Sequence, residues 1–130
     1  MRMWKVNPKL LCTKHLLGEH VEMHMFVGTI VRGKRIAGFI DTGLVEVHYI
    51  SRRHQELADE MNLRGFRHKS PLPKFKVFRA GWVDVKANLL ELIRRCPDCR
   101  QRAKDRSPHR ESTAKAKMAG RAKLIRKQRG

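Results

Sequence analysis

From Thr13 to Val31 the apolar residues recur at helical spacing, and nowhere in the chain do two segments alternate as paired strands would. Leu16, Met23, Val27, Ile30 and Val31 fall on one side of a 3.6-residue period, and Arg32-Gly33-Lys34 ends the pattern. A helix of this kind is stable only if its apolar side is buried against other elements. Two further helical segments can supply the partner surface. Residues 44–64 place Val47, Ile50, Leu57, Ala58 and Met61 on an inner face, with Gly65 as the expected C-cap. Asp84 caps a third segment running to Arg95, with Val85, Leu89, Leu92 and Ile93 apolar. Asn7-Pro8 reads as a helix start, Asp41-Thr42-Gly43 as a turn, and Lys69-Ser70-Pro71-Leu72-Pro73 bars regular structure. The pattern predicts a mainly α fold: about three helices with irregular connections over residues 1–100, followed by a basic C-terminal arm over 101–130.

Charge points to the partner. The 130 residues hold 30 Lys+Arg against 12 Asp+Glu, a formal net charge of +18. Residues 101–130 carry 11 basic and 2 acidic residues, leaving 19 and 10 for the first hundred, so each part has a surplus of +9. The terminal stretch has too few large apolar residues to offset its ordering entropy, and is expected to be disordered or weakly helical without DNA. Arg121 and Lys123 are taken as representative phosphate contacts there, and Lys34, Arg35, Arg52 and Arg53 as contacts on the domain. A merely solubilising tail is the plain alternative. No apolar run approaches the ~20 residues of a membrane span, and no secretory leader opens the chain. Three cysteines without a secretory signal fit a reducing cytosol better than a disulfide scaffold, and a charge this one-sided points to nucleic acid as the partner.

At ~100° per residue, His15, Glu19, Glu22 and Phe26 share one narrow strip of the first long helix. Two carboxylates beside a histidine in so basic a chain are chemically suggestive. Solvated glutamates, or glutamates paired with Arg or Lys, are the ordinary reading. The amino terminus adds to the first view. Met1-Arg2-Met3-Trp4 runs into Asn7-Pro8 with almost no slack, and Trp4 is an apolar anchor. Arg2 is bulky, so Met1 is expected to stay in place. Free α-amines ionise near pH 8, leaving a useful neutral fraction near pH 7. Such an amine beside a carboxylate is a Schiff-base nucleophile with an acid/base at hand; an ordinary tucked-in terminus is the bland version.

Cys96-Pro97-Asp98-Cys99 and Cys12-Thr13-Lys14-His15 together offer the ligands of a Cys3His zinc site, with His109 as a substitute for His15. With no second C-x-x-C, a capped turn bearing free thiols is preferred, and no metal or other cofactor is expected. His20, His24, His48, His54 and His68 show no ligand-like grouping. Phe78 and Trp82, among basic residues, are capable of stacking on a base, but a core role is the expectation.

The run Lys14-His15-Leu16-Leu17-Gly18-Glu19-His20-Val21-Glu22 resembles the pyrimidine-dimer DNA glycosylases of the small phage UV-endonuclease type. So do Gly33-Lys34-Arg35-Ile36 and Gln55-Glu56-Leu57-Ala58-Asp59-Glu60-Met61 leading into Arg64-Gly65-Phe66. The resemblance covers roughly residues 1–95 in order. It implies a helical DNA glycosylase with AP-lyase activity, whose amino-terminal α-amine attacks the sugar C1′ before β-elimination nicks the strand. It carries the amine onto Met1, the essential glutamate onto Glu22, a helix histidine onto His15 and a terminal arginine onto Arg2. His15 would orient Glu22 or touch a phosphate. The arginines that flank the glutamate in the best-known member are Val21 and Met25 here, so a cyclobutane dimer is the default substrate and another damaged pyrimidine remains open. A non-enzymatic nucleic-acid binder and a metal-dependent nuclease using Glu19, Glu22 and histidines are the alternatives.

Overall fold

The computed structural model describes residues 1–106. Five helices make up its regular structure: α1 (Thr13–Val31), α2 (Ala37–Asp41), α3 (Ile50–Leu63), α4 (Val85–Arg95) and α5 (Pro97–Asp105), with no strand among the described residues. The fold is mainly α, as its sequence pattern requires. No described helix is long and apolar enough to cross a membrane. Arg121 and Lys123 lie outside the described residues.

α1 starts where Cys12 turns extended and its sulfur accepts the amide of His15, and it ends before Gly33, which adopts φ +68°. Leu16, Met23, Phe26 and Val27 are buried on its inner side, against Ile50, Leu57, Ala58 and Met61 of α3. Val31, expected on this face, is 59% exposed because the helix ends there and nothing packs over it. The second expected helix begins later than residue 44. Val45 to Val47 are drawn into an extended path under the 80–83 segment, where Val47 donates its amide to Ala80 and Val83 donates to Glu46. A single 3-10 turn at Val47–Tyr49 then leads into α3. Asp84 caps α4 through the amide of Ala87, as its position suggests.

Two short helices were not foreseen. α2 carries no buried residue, and so little apolar periodicity that its sequence reads as a turn. α5 begins at Cys96-Pro97 and runs past residue 100, so the boundary expected there falls inside a helix. Arg102 fastens α5 to the domain by donating to the carbonyl of Lys9.

Several of the first twelve residues enter the core. Met3, Trp4, Val6 and Leu11 are buried, and Met3 donates its amide to Leu44. Asn88 of α4 gives its side-chain amide to the carbonyl of Trp4 at 2.9 Å.

Candidate active site

The amino-terminal strip is fixed by the glutamates of α1. Glu22 Oε1 accepts the backbone amide of Arg2 at 2.7 Å. Only Cα and the carbonyl carbon separate that nitrogen from the α-nitrogen of Met1, a span of at most about 3.7 Å. One turn earlier, Glu19 accepts the amides of Trp4 at 3.1 Å and Lys5 at 3.4 Å. Met1 lines a cleft of about 410 Å³ with Val21, His24, Met25, Gly28, Thr29 and Arg32. Val21 and Met25 are exposed and give the cleft an apolar part of its lining.

Glu19 is occupied structurally. Arg53 grips it with two bonds, Nε to Oε2 at 2.6 Å and a terminal nitrogen to Oε1 at 2.9 Å. The same guanidinium donates to the carbonyl of Val6 at 2.7 Å and to Glu56 at 3.0 Å. Burial opposes its charge, yet the Glu19 and Glu56 carboxylates hold the Arg53 guanidinium above its ordinary range. Arg53 is 1% exposed, so the expectation of a DNA contact there is corrected: it is a buried clamp that ties α3 to α1 and the amino terminus. Arg52, its neighbour, is exposed, as are Lys34 and Arg35.

Arg2 is half-buried. It lies 3.8 Å over the Trp4 ring and donates to Asn88 Oδ1 at 2.8 Å, while its Nε has no partner. Arg2 and Asn88 line a second cleft of about 530 Å³ together with Trp82, Thr42 and Asp84. Trp82 is 70% exposed and Phe78 is 41% exposed, so their expected core role is also corrected. The 66–83 segment has too few apolar residues facing inward to enclose both rings.

His15 faces the cysteines with one ring nitrogen. Its Nδ1 points at sulfur, 3.2 Å from Cys12 Sγ and 3.5 Å from Cys99 Sγ. Burial and the positive charge of Arg95 push its pKa down. The three cysteines are free thiols gathered around it, with Cys12 Sγ 3.9 Å from Cys96 Sγ.

A second group was missed. His54 Nε2 lies 3.1 Å from that of His20, 3.2 Å from that of His24 and 3.3 Å from that of His68. Burial and the three facing imidazoles push the His20 pKa down to about 4. The absence of ligand-like grouping expected for these histidines is corrected, with His48 standing apart. The signal was present in the helical register. Leu16, Glu19, His20 and Met23 on α1 are spaced like Ile50, Arg53, His54 and Leu57 on α3. Each helix inserts one charged residue and one histidine into its apolar stripe at adjacent positions, and these pair across the interface.

The family model for pyrimidine dimer DNA glycosylase matches residues 1–74. The chain belongs to this family. As a pyrimidine dimer DNA glycosylase, it is a DNA repair enzyme. The match includes Met1, Glu19, Glu22, Arg53 and the four clustered histidines, and stops before α4, α5 and the cysteines at 96 and 99. No curated protein and no solved structure matches the chain.

Proposed function

We propose that this glycosylase works through a Schiff base on the α-amine of Met1, with Glu22 as its acid/base, and that it nicks the abasic product by β-elimination. The observation carrying this reading is the 2.7 Å bond from the Arg2 amide to Glu22, which keeps a carboxylate within reach of the terminal nitrogen.

DNA is gathered electrostatically by Lys34, Arg35, Arg52 and the residues beyond 106, and the enzyme acts as a monomer in a phage or bacterial cytosol. Extruding a nucleotide costs a few kcal/mol, less at a damaged base. The neutral amine attacks C1′ as the bond to the base breaks. One amine proton goes to the departing base and the other to the ring oxygen as the sugar opens, leaving an imine on the Met1 nitrogen with no water taken up or released. Glu22 stabilises the developing positive sugar and accepts the C2′ proton as the 3′ phosphate leaves. Hydrolysis of the imine restores the amine.

Arg53 and Glu19 act as positioning residues, since their bonds hold residues 4–6 and through them the direction of Met1. With Glu19 fully engaged by Arg53 and two backbone amides, the carboxylate pair needed by a metal-dependent nuclease is not free for ligation.

UV-irradiated duplex incubated with native-terminus protein should be nicked at pyrimidine dimers, and borohydride should trap a covalent protein–DNA adduct. Glu22→Gln should bind the duplex with unchanged affinity and leave it intact. Cleavage by Glu22→Gln at the parent rate would remove Glu22 from the chemistry, and parent cleavage that leaves no borohydride-trapped adduct would favour a nuclease.

A further inference from the structure

We propose that this chain holds a structural zinc ion between Cys12, His15, Cys96 and Cys99. The four donor atoms lie within 4.8 Å of one another. A tetrahedral zinc with Zn–S of about 2.3 Å and Zn–N of about 2.0–2.1 Å separates two sulfurs by about 3.8 Å, and sulfur from nitrogen by about 3.6 Å. The cluster has 3.9 Å between Cys12 and Cys96 sulfurs, and 3.2 and 3.5 Å from His15 Nδ1 to the sulfurs of Cys12 and Cys99.

The surroundings suit thiolates. The amide of Cys12 points at Cys99 Sγ at 3.3 Å, that of Cys99 at Cys96 Sγ at 3.4 Å and that of His15 at Cys12 Sγ at 3.5 Å. Peptide N–H groups directed at sulfur stabilise negative charge on it. The two ligand pairs are also built alike. Each begins with a cysteine as helix N-cap and takes its second ligand three residues on, in the first turn of α1 or of α5. The ion would staple α5 to the start of the catalytic helix. Four protein ligands close its coordination, which gives a structural rather than catalytic role.

The histidine cluster carries a second zinc site on separate observations. An imidazole nitrogen either donates one hydrogen bond or accepts one. His54 Nε2 faces three other Nε2 atoms within 3.3 Å and the carbonyl of Ser70 at 3.1 Å. Hydrogen bonding satisfies at most one of these approaches and leaves nitrogen lone pairs opposed. A cation at the centre of the four satisfies them together, and tetrahedral Zn–N bonds of about 2.0–2.1 Å place the nitrogens about 3.3 Å apart. The ligands come from α1 (His20, His24), α3 (His54) and the loop after it (His68), so this ion would pin that loop beside the Met1 cleft.

Both sites are tested on the full chain, expressed with zinc, purified without chelator and dialysed before elemental analysis and zinc-edge X-ray absorption. Two zinc equivalents per chain are expected, with an average ligand set of sulfur and a majority of nitrogen. Cys96→Ser with Cys99→Ser should lose one equivalent and the sulfur scattering. His24→Ala with His68→Ala should lose one equivalent and keep the sulfur. The parent protein decides the matter even where a variant fails to fold. A parent without zinc–sulfur scattering, or with a Cys12–Cys96 disulfide, overturns the cysteine site. A parent holding a single zinc bound mainly by sulfur overturns the histidine site, and zinc-free parent protein overturns both. Neither site depends on the Schiff-base reading, because metal content is read without any DNA.

Discussion

Replacing Arg53 by methionine separates a structural arginine from a DNA-binding one. Arg53→Met keeps most of the side-chain volume and removes four bonds: two to Glu19 at 2.6 and 2.9 Å, one to the Val6 carbonyl at 2.7 Å and one to Glu56 at 3.0 Å. Glu19 is 2% exposed and would be left as a buried carboxylate with only the Trp4 and Lys5 amides. Breaking one side of a buried pair costs about 3–5 kcal/mol. A domain of this size has about 5–15 kcal/mol in total. At ~4 °C per kcal/mol, the melting temperature should fall by about 12–20 °C. Strand cleavage measured well below the new midpoint should fall too, because residues 4–6 lose their clamp. The control is the neighbouring Arg52→Met, whose side chain is 77% exposed and which should stay within about 0.5 kcal/mol of the parent. Thermal and urea unfolding supply the numbers. If Arg53→Met unfolds like the parent and only lowers the salt slope of DNA binding by about one, the clamp assignment is refuted.

Three further outcomes follow from the same geometry. Trp82→Ala should leave stability within about 0.5 kcal/mol but weaken binding to duplex carrying an extruded nucleotide by about 1–3 kcal/mol, as a lost stacking ring would; titration of labelled DNA reads this, and a stability loss without a binding loss would restore Trp82 to the core. Gly81 sits at φ +91°, and a Cβ there would lie 2.1 Å from the Val45 carbonyl oxygen, so Gly81→Ala should cost upward of about 2 kcal/mol in urea unfolding; a neutral effect would mean that the 80–83 segment does not cross residues 45–47. Removing the exposed charges at Lys34 and Arg35 should reduce the slope of log K against log salt by about one each without altering the nicking rate of bound DNA, and an unchanged slope would take this turn off the phosphate backbone.

The helical plan was legible because its signals are local. Gly33 ends α1, Asp84 opens α4 and Gly65, at φ +91°, follows α3. The pairing of polar groups across the core was not legible from one helix at a time. Arg53 and Arg52 are adjacent letters with opposite fates, decided by which of them follows Ile50 by three residues and meets Glu19 from α1. His15 illustrates the same limit. Its place near Glu22 on the helical wheel is real, but its Nδ1 meets the sulfurs of Cys12 and of Cys99, the latter eighty-four residues away. Phe78 and Trp82 looked like core residues by composition, and are exposed because the segment holding them crosses the domain rather than entering it. Glu22 was singled out over Glu19 through the family resemblance rather than by spacing; the bond from the Arg2 amide to its carboxylate joins the amino-terminal stretch to α1.

The central claim is that the terminal nitrogen of Met1 is the nucleophile. Borohydride reduction of native-terminus protein on abasic-site duplex, followed by nuclease digestion and peptide mass mapping, reads the attachment site directly. The account predicts one sugar remnant on the α-nitrogen of the peptide beginning at Met1, and no adduct when that amine is acetylated. An adduct on a lysine side chain, or one that persists on the acetylated protein, would contradict it.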